Sequence, residues 1–435
     1  MKWWKYISAC LVSVILVLSC QKDPNFEPYS VPSYGGAASQ PDRGASTEMR
    51  NVMVLVSAGF NSLSTWLQAD LEDLASGYLP DNARSSDVLV VLSRFSVSSG
   101  DYSSPSAPVL YRMYADAQGS IVRDTLKVWD GDTQLCRAAT LKEALELVHR
   151  HFPAQGYGMV FSSHASGWLP DGYYGNPAAY EKSSLSLRRR SWNSAGAVWP
   201  AIDPWPAVKS IGQDAGKLAV EMELADFVDA IPFRLDYLLF DACLCGCVEV
   251  AWALRGKADI VGFSPTEILA EGFDYLGITQ HLLQRTPDPL AVCKDYFAHY
   301  DALRGSSRSA TISVVDTRRM DALAAVCATL FEQYRPQLET LSGSSVQGYF
   351  RFDRHFFYDL EDILVKAGIT AEEQASLEAA LDECVLYHAA TPYFLSISLV
   401  SCCGLSMYLP SMGTDFLDSF YRENIRWNDV TKLVL

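Results

Sequence analysis

Residues 237–263 read YLLFDACLCGCVEVAWALRGKADIVGF, and this stretch decides the fold. The apolar run 237–240 predicts a strand that is buried on both faces. A helix is predicted over 244–257, and a second buried strand over 259–263. A strand, a helix and another strand in succession are typical of a parallel sheet, because parallel neighbours need a crossover connection.

The same alternation precedes this stretch in the chain. Short continuous apolar runs predict further buried strands at 51–58, 87–92 and 157–163. Apolar residues at helical spacing predict helices at 62–75, 140–151 and 221–230. The fold class is therefore α/β, a mostly parallel sheet flanked by helices.

Three local features refine this prediction. A hairpin is predicted over 109–115 and 120–128, around a turn at Gln118 and Gly119. Thr140 as N-cap with Glu143 three residues later has the spacing of a capping box. Between the strands at 157–163 and 237–240 lies a long loop, 169–215, that sustains no hydrophobic period. A stretch of this length inside a compact domain is usually functional or disordered.

The C-terminal third predicts additional helices and strands. The helices are expected at 288–303, 318–334, 358–366 and 371–387, and Pro336 disfavours continuation of the second. A strand is expected at 310–315, and a last strand pair at 392–399 and 404–409. We divide the sequence into a core at 49–285, which includes the loop, and a C-terminal α/β extension at 286–435 packed on that core.

Charge excludes some partners. The chain has 435 residues, with 35 Lys+Arg against 51 Asp+Glu and a net charge of −16. Nucleic acid is therefore not expected as a partner, and neither is polybasic attachment to an anionic membrane, because both need clustered Lys and Arg. A basic substrate stays possible, since an acidic site attracts Arg and Lys.

The N-terminus resembles a bacterial export signal. Lys2 and Lys5 precede an apolar run at 7–18 that is short for a membrane-spanning helix. The run ends in Val-Leu-Ser-Cys at Cys20, which resembles a lipobox and predicts a signal peptide at 1–19 and lipidation of Cys20. The alternative is an ordinary signal peptide in which Cys20 is incidental. Residues 20–48 are predicted to be a flexible tether, so we expect a lipid-anchored protein of the bacterial cell envelope, at the outer membrane and facing the periplasm or the surface.

The cysteines do not form a recognisable framework. There are 11, with irregular spacing. Cys243, Cys245 and Cys247 raise the question of a metal, but a structural zinc site needs a second ligand pair at suitable spacing, and none follows. No metal site or required cofactor is therefore predicted, and most of these thiols are expected to be buried hydrophobes.

Two reactive residues lie at predicted strand ends. His164 follows the strand at 157–163, and Cys243 follows the strand at 237–240. Reactive groups gather at the carboxyl ends of parallel strands, so the two side chains are expected to be neighbours. A Cys that leads directly into a helix gains from the helix dipole, and a nearby His can act as its base. The alternative is that Cys243 is ordinary core packing and His164 an ordinary strand-end residue.

The sequence around Cys243 resembles the clostripain family of cysteine peptidases, which belongs to the caspase-like fold group. The resemblance rests on Asp-Ala-Cys at 241–243, on Gly246, on Val-Glu-Val-Ala at 248–251, and on the turn from Glu271 to Tyr275. It extends to four other segments: NVMVLVSAGFNSLSTWLQADLEDL (51–74), TLKEALELVHRHFPAQGYGMVFSSHASGW (140–168), HFFYDLEDIL (355–364) and GLSMYLP (404–410).

The resemblance implies an activity and a site. It implies an endopeptidase that cleaves protein or peptide substrates after Arg or Lys, through a dyad of Cys243 as nucleophile and His164 as base. Asp241 and Glu271 match the acids that receive the cationic side chain, and Glu271 stands where Asp is common. The oxyanion donors would be the backbone N–H groups of Ala165 and Cys243, with Ala165 replacing the family's Gly. A calcium cofactor is implied by the family resemblance alone.

The family is often processed between the His and Cys strands. Arg188, Arg189 and Arg190 lie in the corresponding loop here, which makes them candidates for self-cleavage. A solvated charge cluster is the alternative. The alternative for the whole protein is a catalytically inactive relative, a surface lipoprotein that binds peptides or glycans. Ala165 is the one change that favours this alternative.

Overall fold

The computed structural model describes residues 49–82, 85–98, 101–173, 177, 180, 211–215, 220–350 and 356–435. The predicted signal peptide, the tether, Cys20 and the three arginines at 188–190 lie outside these ranges. Within them, no helix is both long enough and apolar enough to cross a membrane.

The described residues form one ten-stranded sheet and three small two-stranded sheets. The strands are Met49–Gly59 (β1), Asp87–Ser98 (β2), Asp101–Pro105 (β3), Val109–Ala115 (β4), Ile121–Val128 (β5), Ala154–Ser162 (β6), Ile211–Asp214 (β7), Val220–Met222 (β8), Leu235–Asp241 (β9), Ala258–Phe263 (β10), Thr311–Asp316 (β11), Tyr358–Asp359 (β12), Val385–Ala390 (β13), Tyr393–Phe394 (β14), Ile397–Ser398 (β15) and Ser406–Met407 (β16).

The large sheet has the order β13-β11-β10-β9-β6-β1-β2-β4-β5, with β3 paired to β2. Its five central strands, β10, β9, β6, β1 and β2, run parallel. The strands added at either edge are antiparallel. The prediction of a mostly parallel α/β sheet is therefore confirmed, and so is the hairpin of β4 and β5.

Helices cover both faces of the sheet. They are Ser64–Ser76 (α1), Ala138–His151 (α2), Leu224–Ala230 (α3), Val248–Ala253 (α4), Ile278–Leu282 (α5), Pro289–Ala302 (α6), Met320–Gln333 (α7), Arg335–Leu338 (α8), Leu360–Ala367 (α9), Ala371–Cys384 (α10), Asp415–Asn424 (α11) and Arg426–Thr431 (α12). Alternate residues of β1 face opposite sides: Val54 joins the cluster under α2, α4 and α7, whereas Leu55 joins the cluster under α1, α5 and α6. Since both faces are covered, the central strands are continuously apolar.

The C-terminal region completes the central sheet. β11 pairs with β10, and β13 pairs with β11 at the edge. The predicted helix at 371–387 was wrong at its end, because α10 stops at Cys384 and Val385 already has extended geometry. From there the chain pairs with β11 through its backbone, which a helical side-chain pattern does not reveal.

Two other local predictions were wrong. The pair at 392–399 and 404–409 does not form: β14 pairs with β15, and β16 pairs with β12. The capping box at Thr140 is also absent, because α2 begins at Ala138 and its N-cap is Arg137. Glu143 instead accepts hydrogen bonds from Lys127 and from Trp129 Nε1, contacts that link α2 to the β-hairpin.

Candidate active site

The site lies where β6 and β9 end. The two strands pair in parallel, with Ser162 opposite Asp241 in the register. His164 and Cys243 each follow two residues after this pair, so both strand ends deliver a reactive side chain to the same edge of the sheet. The sequence-based expectation that the two strand ends are neighbours is met by this register.

A pocket of about 300 Å³, its open mouth included, lies at these strand ends. Residues 162–164 and 241–243 line one side of it. Leu63 and Leu67 of α1 and residues 268–270 line the rest. His164 is 2% exposed and Cys243 is 9% exposed, so the thiol and the imidazole share a cavity that is largely screened from water.

Cys243 sits in a tight turn. Leu244 has a positive φ of 60°. Residues other than Gly adopt this left-handed conformation only at a cost in conformational energy. The Leu244 N–H donates to Thr266 O at 2.8 Å, which holds the turn in place. The Ile268 N–H donates to Cys243 Sγ at 3.4 Å, and a donor aimed at sulfur stabilises negative charge there.

The prediction that Cys243 leads directly into a helix was wrong. The helix α4 begins only at Val248 and has 6 residues. Because Leu244 is left-handed, the chain cannot continue as a right-handed helix from Cys243. The helix dipole is therefore not available at the sulfur, where the Ile268 N–H is a local donor instead.

His164 is held by neighbours on both sides. Ser62 Oγ lies 2.8 Å from His164 Nε2, and the backbone O of His164 accepts from the Gly212 N–H at 2.9 Å. The next residue, Ala165, is 1% exposed and forms an isolated antiparallel bridge with Ile211. The sequence did not reveal the contact with Ser62, because a loop residue carries no periodic signal.

A buried polar network supports this strand end. Ser163 Oγ donates to Ala58 O at 2.8 Å and accepts from the Gln213 N–H at 3.2 Å. Asn61 Nδ2 donates to Ala58 O at 2.9 Å and to Gln213 O at 2.8 Å. The network joins β1, β6 and β7, so the backbone on either side of His164 is fixed.

Asp241 is buried two residues before Cys243, next to the turn at Leu244. It is 7% exposed, and its Oδ2 accepts from Tyr275 Oη at 2.8 Å and from Ser162 Oγ at 3.3 Å. Burial raises the pKa of Asp241 to about 6, against the lowering effect of these hydrogen bonds. At neutral pH the carboxyl group is therefore mostly ionised.

Glu271 belongs to the turn that closes on Asp241. Gly272 has a φ of +60°, and a Cβ built there would lie 2.3 Å from Asp241 Oδ2. Only Gly allows the turn to come this close to the carboxylate. Glu271, next to it, is half-buried, and its charge acts on the buried Asp70 of α1. The two acids expected from the sequence are thus brought to one region.

Asp70 is an acid of this region that the sequence reading missed. It is 8% exposed, and burial raises its pKa to about 9, with further contributions from the charges of Asp241, Asp73 and Glu271. The signal in the sequence is a carboxylate at the helical spacing of Leu63 and Leu67, on the face of α1 that packs on the sheet.

The remaining cysteines behave as core residues. All nine cysteines of the described residues are free thiols. Cys245 and Cys247 are fully buried, and burial raises the pKa of each thiol well above its ordinary value. The described residues contain no cluster of three or more His, Cys, Asp or Glu side chains that could hold a metal ion.

A cavity that holds a thiol and an imidazole at adjacent strand ends of a parallel sheet is typical of caspase-like cysteine peptidases. The sequence model of the clostripain family matches residues 191–423, which is more than half of the chain. The chain therefore belongs to the clostripain family, and it is a cysteine peptidase. The matched range contains Cys243 but begins after His164.

Solved structures of C11 proteases have the same fold. The X-ray structure of an inactive zymogen C11 protease from Parabacteroides distasonis is 25% identical, with a TM-score of 0.69 over 89% of this chain and 99% of that chain. A secreted C11 cysteine protease from Bacteroides thetaiotaomicron, in complex with an irreversible peptide inhibitor, is 23% identical, with a TM-score of 0.68 over 88% and 99% of the two chains. No curated protein sequence matches the chain significantly.

Proposed function

We propose that this cysteine peptidase cleaves peptide bonds after Arg or Lys, with Cys243 as nucleophile and His164 as general base. The observation that supports the proposal is the single pocket lined by the thiol, the imidazole and the buried carboxylate of Asp241. A thiol and an imidazole at this edge provide a nucleophile and a proton carrier, and the carboxylate provides a complement for a cation.

The reaction would proceed through an acyl-enzyme. His164 takes the proton of the Cys243 thiol, and the sulfur attacks the carbonyl carbon of the scissile bond. His164 then returns the proton to the leaving amine, which matters because peptide nitrogen is a poor leaving group. Water, deprotonated by His164, hydrolyses the thioester and releases the new carboxyl end. The backbone N–H groups of Ala165 and Cys243 would donate to the oxyanion.

The cation pocket would combine charge with apolar walls. Asp241 lines the pocket, and Glu271 follows its lining residue Ala270, so both would supply negative charge. Leu63 and Leu67 would offer surface to the methylene groups of Arg or Lys. A buried carboxylate is stabilised when a cation arrives, so the cationic side chain gains more from this pocket than a neutral one does.

We also propose self-processing in the loop at 169–215, after one of Arg188, Arg189 or Arg190. The matching structure from P. distasonis is described as an inactive zymogen, which agrees with an enzyme that needs activation. Near the end of the loop, after the three arginines, Asp214 forms a buried ion pair with Arg94 at 3.1 Å. This pair, with the Ser163 network, would keep the segment after the cut attached to the sheet.

Lipidation of Cys20 and attachment to the cell envelope complete the proposal. A matching protease from B. thetaiotaomicron is described as secreted, which agrees with export of this chain. The signal at 1–20 adds a lipid anchor to export. Metabolic labelling with a fatty acid analogue tests this part: wild type should incorporate label, and Cys20→Ala should not.

The central test is hydrolysis of fluorogenic peptides that end in Arg or Lys, under reducing conditions. Cys243→Ala should abolish hydrolysis, while Cys327→Ala, which changes a fully buried thiol in α7, should retain it. Absence of hydrolysis by wild type after deliberate cleavage of the loop would favour the inactive binding module, for which Ala165 is the supporting observation.

Self-processing has a separate test. Cys243→Ala protein should stay intact during expression, and the wild type should appear as two fragments whose masses place the cut after residue 188, 189 or 190. Mixing active wild type with Cys243→Ala protein distinguishes cleavage between molecules from cleavage within one. Identical nicking of both proteins would assign the cut to another protease.

A further inference from the structure

A third carboxylate, that of Asp70, is buried on the helix that contributes Leu67 to the pocket. Asp70 lies on α1, three residues after Leu67, so it continues the helix face on which Leu63 and Leu67 line the pocket. Asp70 is 8% exposed, and the charges that act on it include those of Asp241 and Glu271. The side chain is thus buried in the protein, close enough to these two acids for their charges to act on it.

The structure leaves this carboxyl group without a full set of partners. Within the described part of the chain, no hydrogen-bond partner reaches Asp70 Oδ2, and the same holds for the buried hydroxyl of Tyr296. Tyr296 lies close enough to Asp241 and Cys243 to feel their charges. Buried polar atoms of native proteins normally have partners, and exceptions point to a ligand or a functional role.

Adjacent hydroxyl groups are already engaged. Tyr275 Oη donates to Asp241 Oδ2 at 2.8 Å, and Tyr300 Oη donates to Gly272 O at 3.1 Å. Asp70 lies close enough to both tyrosines that its ionised form raises their pKa values. The hydroxyls of Tyr275 and Tyr300 therefore have hydrogen-bond partners and position Asp241 and its turn. Asp70 Oδ2 can still accept a hydrogen bond from a donor.

We propose that Asp70 is a specificity-determining residue, the third carboxylate of the pocket, which contacts the charged end of the Arg or Lys side chain. This inference rests on the proposed function, because it assumes that the pocket receives a cationic side chain. A guanidinium group has five N–H donors and an ammonium group has three. Asp241 Oδ2 already accepts from Tyr275 and Ser162, so Asp241 alone would leave donors of either cation unpaired.

Binding should be coupled to a proton. Burial and the charges of Asp241, Asp73 and Glu271 hold Asp70 protonated at neutral pH. When the cation enters, the carboxyl group loses its proton to solvent, and the resulting carboxylate pairs with the cation. The charge balance is one cation bound and one proton released.

The first experiment compares peptides that end in Arg with peptides that end in citrulline, its neutral isostere. Asp70→Asn should lower the ratio of kcat/KM for Arg over citrulline by about 10- to 100-fold, since a charge-assisted hydrogen bond is lost. Citrulline hydrolysis itself should change by less than about threefold. Glu72→Gln, which removes an exposed charge from the same helix, should leave the ratio unchanged.

The second experiment measures how many protons the protein releases when it binds the peptide. Titration calorimetry of Cys243→Ala protein with an Arg-ended peptide, in buffers of different ionisation enthalpy at pH 7.5, should show release of up to one proton. Asp70→Asn in the same background should abolish that release. A citrulline-ended peptide provides the matched ligand without charge.

The outcomes separate the two proposals. If wild type does not hydrolyse Arg-ended or Lys-ended peptides after loop cleavage, the proposed function is wrong and this inference falls with it. If wild type prefers Arg over citrulline and Asp70→Asn retains that preference, the inference alone is overturned. A general loss of activity toward both peptides would assign Asp70 a structural role and would equally overturn it.

Discussion

Ser62 Oγ lies 2.8 Å from Nε2 of His164, although Ser62 is an exposed residue in the connection between β1 and α1. The imidazole is otherwise enclosed, at 2% exposure. A hydroxyl at this distance restrains the rotation of the ring in the pocket that His164 shares with Cys243. Ser62 is therefore a positioning residue for the proposed base.

Removal of this hydroxyl should slow the reaction modestly. We expect Ser62→Ala to lower kcat about 3- to 10-fold with little change in KM, because one hydrogen bond contributes about 1 kcal/mol. The lower limb of the pH–rate profile should also shift, since the hydroxyl acts through the imidazole. Ser76→Ala, at the exposed end of α1, is the control. An unchanged kcat together with an unchanged profile would remove Ser62 from the mechanism.

Cys243 and His164 should act as a unit. Each single change to Ala is expected to lower kcat/KM by at least about 10³-fold, and the double variant should lose little more, because groups that cooperate in one step are strongly non-additive. Steady-state kinetics with an Arg-ended peptide measures this, with thermal unfolding as a check of the fold. Losses that multiply in the double variant would show that the two residues do not cooperate.

The neighbourhood of His164 and Cys243 could be predicted from sequence, because apolar runs locate parallel strands and parallel strands end at one edge. The conformation of the turn after Cys243 could not be predicted from the sequence. Leu244 is left-handed, and an ordinary Leu gives no sign of that conformation. The start of the following helix was therefore misplaced, and with it the proposed influence of the helix dipole.

Contacts made by single side chains were also hidden. Ser62 meets His164 through the folding of a loop, which local patterns do not encode. Asp70 was not predicted as a site residue, because the apolar periodicity of α1 identifies the buried leucines and not a buried acid on the same face. Val385 continued a helical pattern, yet tertiary pairing with β11 made it a strand residue.

Selectivity for a cation should depend on pH through Asp241. Its pKa of about 6 means that the carboxylate is lost as pH falls through 6. The ratio of kcat/KM for Arg over citrulline should therefore fall between about pH 7 and 5, whereas titration of Cys243 or His164 affects both peptides alike and cancels in the ratio. In Asp241→Asn the ratio should be low, and the pH dependence that remains should be that of proton release from Asp70, which Asp70→Asn in the same background removes. A wild-type ratio that stays constant would mean that Asp241 does not provide the charge.

Asp70 should lower stability as pH rises. Its pKa is raised from 3.8 to about 9 in the folded protein, so between these values the folded state holds a proton that the unfolded state has released. Stability from this group is therefore fully present below about pH 4 and is lost progressively toward pH 9. The groups that impose this are Asp241, Asp73, Glu271 and burial itself, with Tyr275 and Tyr300 beside them.

Comparison with Asp70→Asn isolates that contribution. Between pH 5 and 8 the free energy of unfolding of wild type, relative to the variant, should fall by up to about 1.4 kcal/mol per pH unit, because one extra proton is bound in the folded state. Urea denaturation at four pH values measures the difference, and Glu72→Gln should run parallel to wild type. An Arg-ended peptide should reduce the slope in Cys243→Ala protein, since the bound cation ionises Asp70 in the folded state. Parallel curves for wild type and Asp70→Asn would mean that Asp70 is ionised in the folded protein and that the pocket needs no cation to hold its charge.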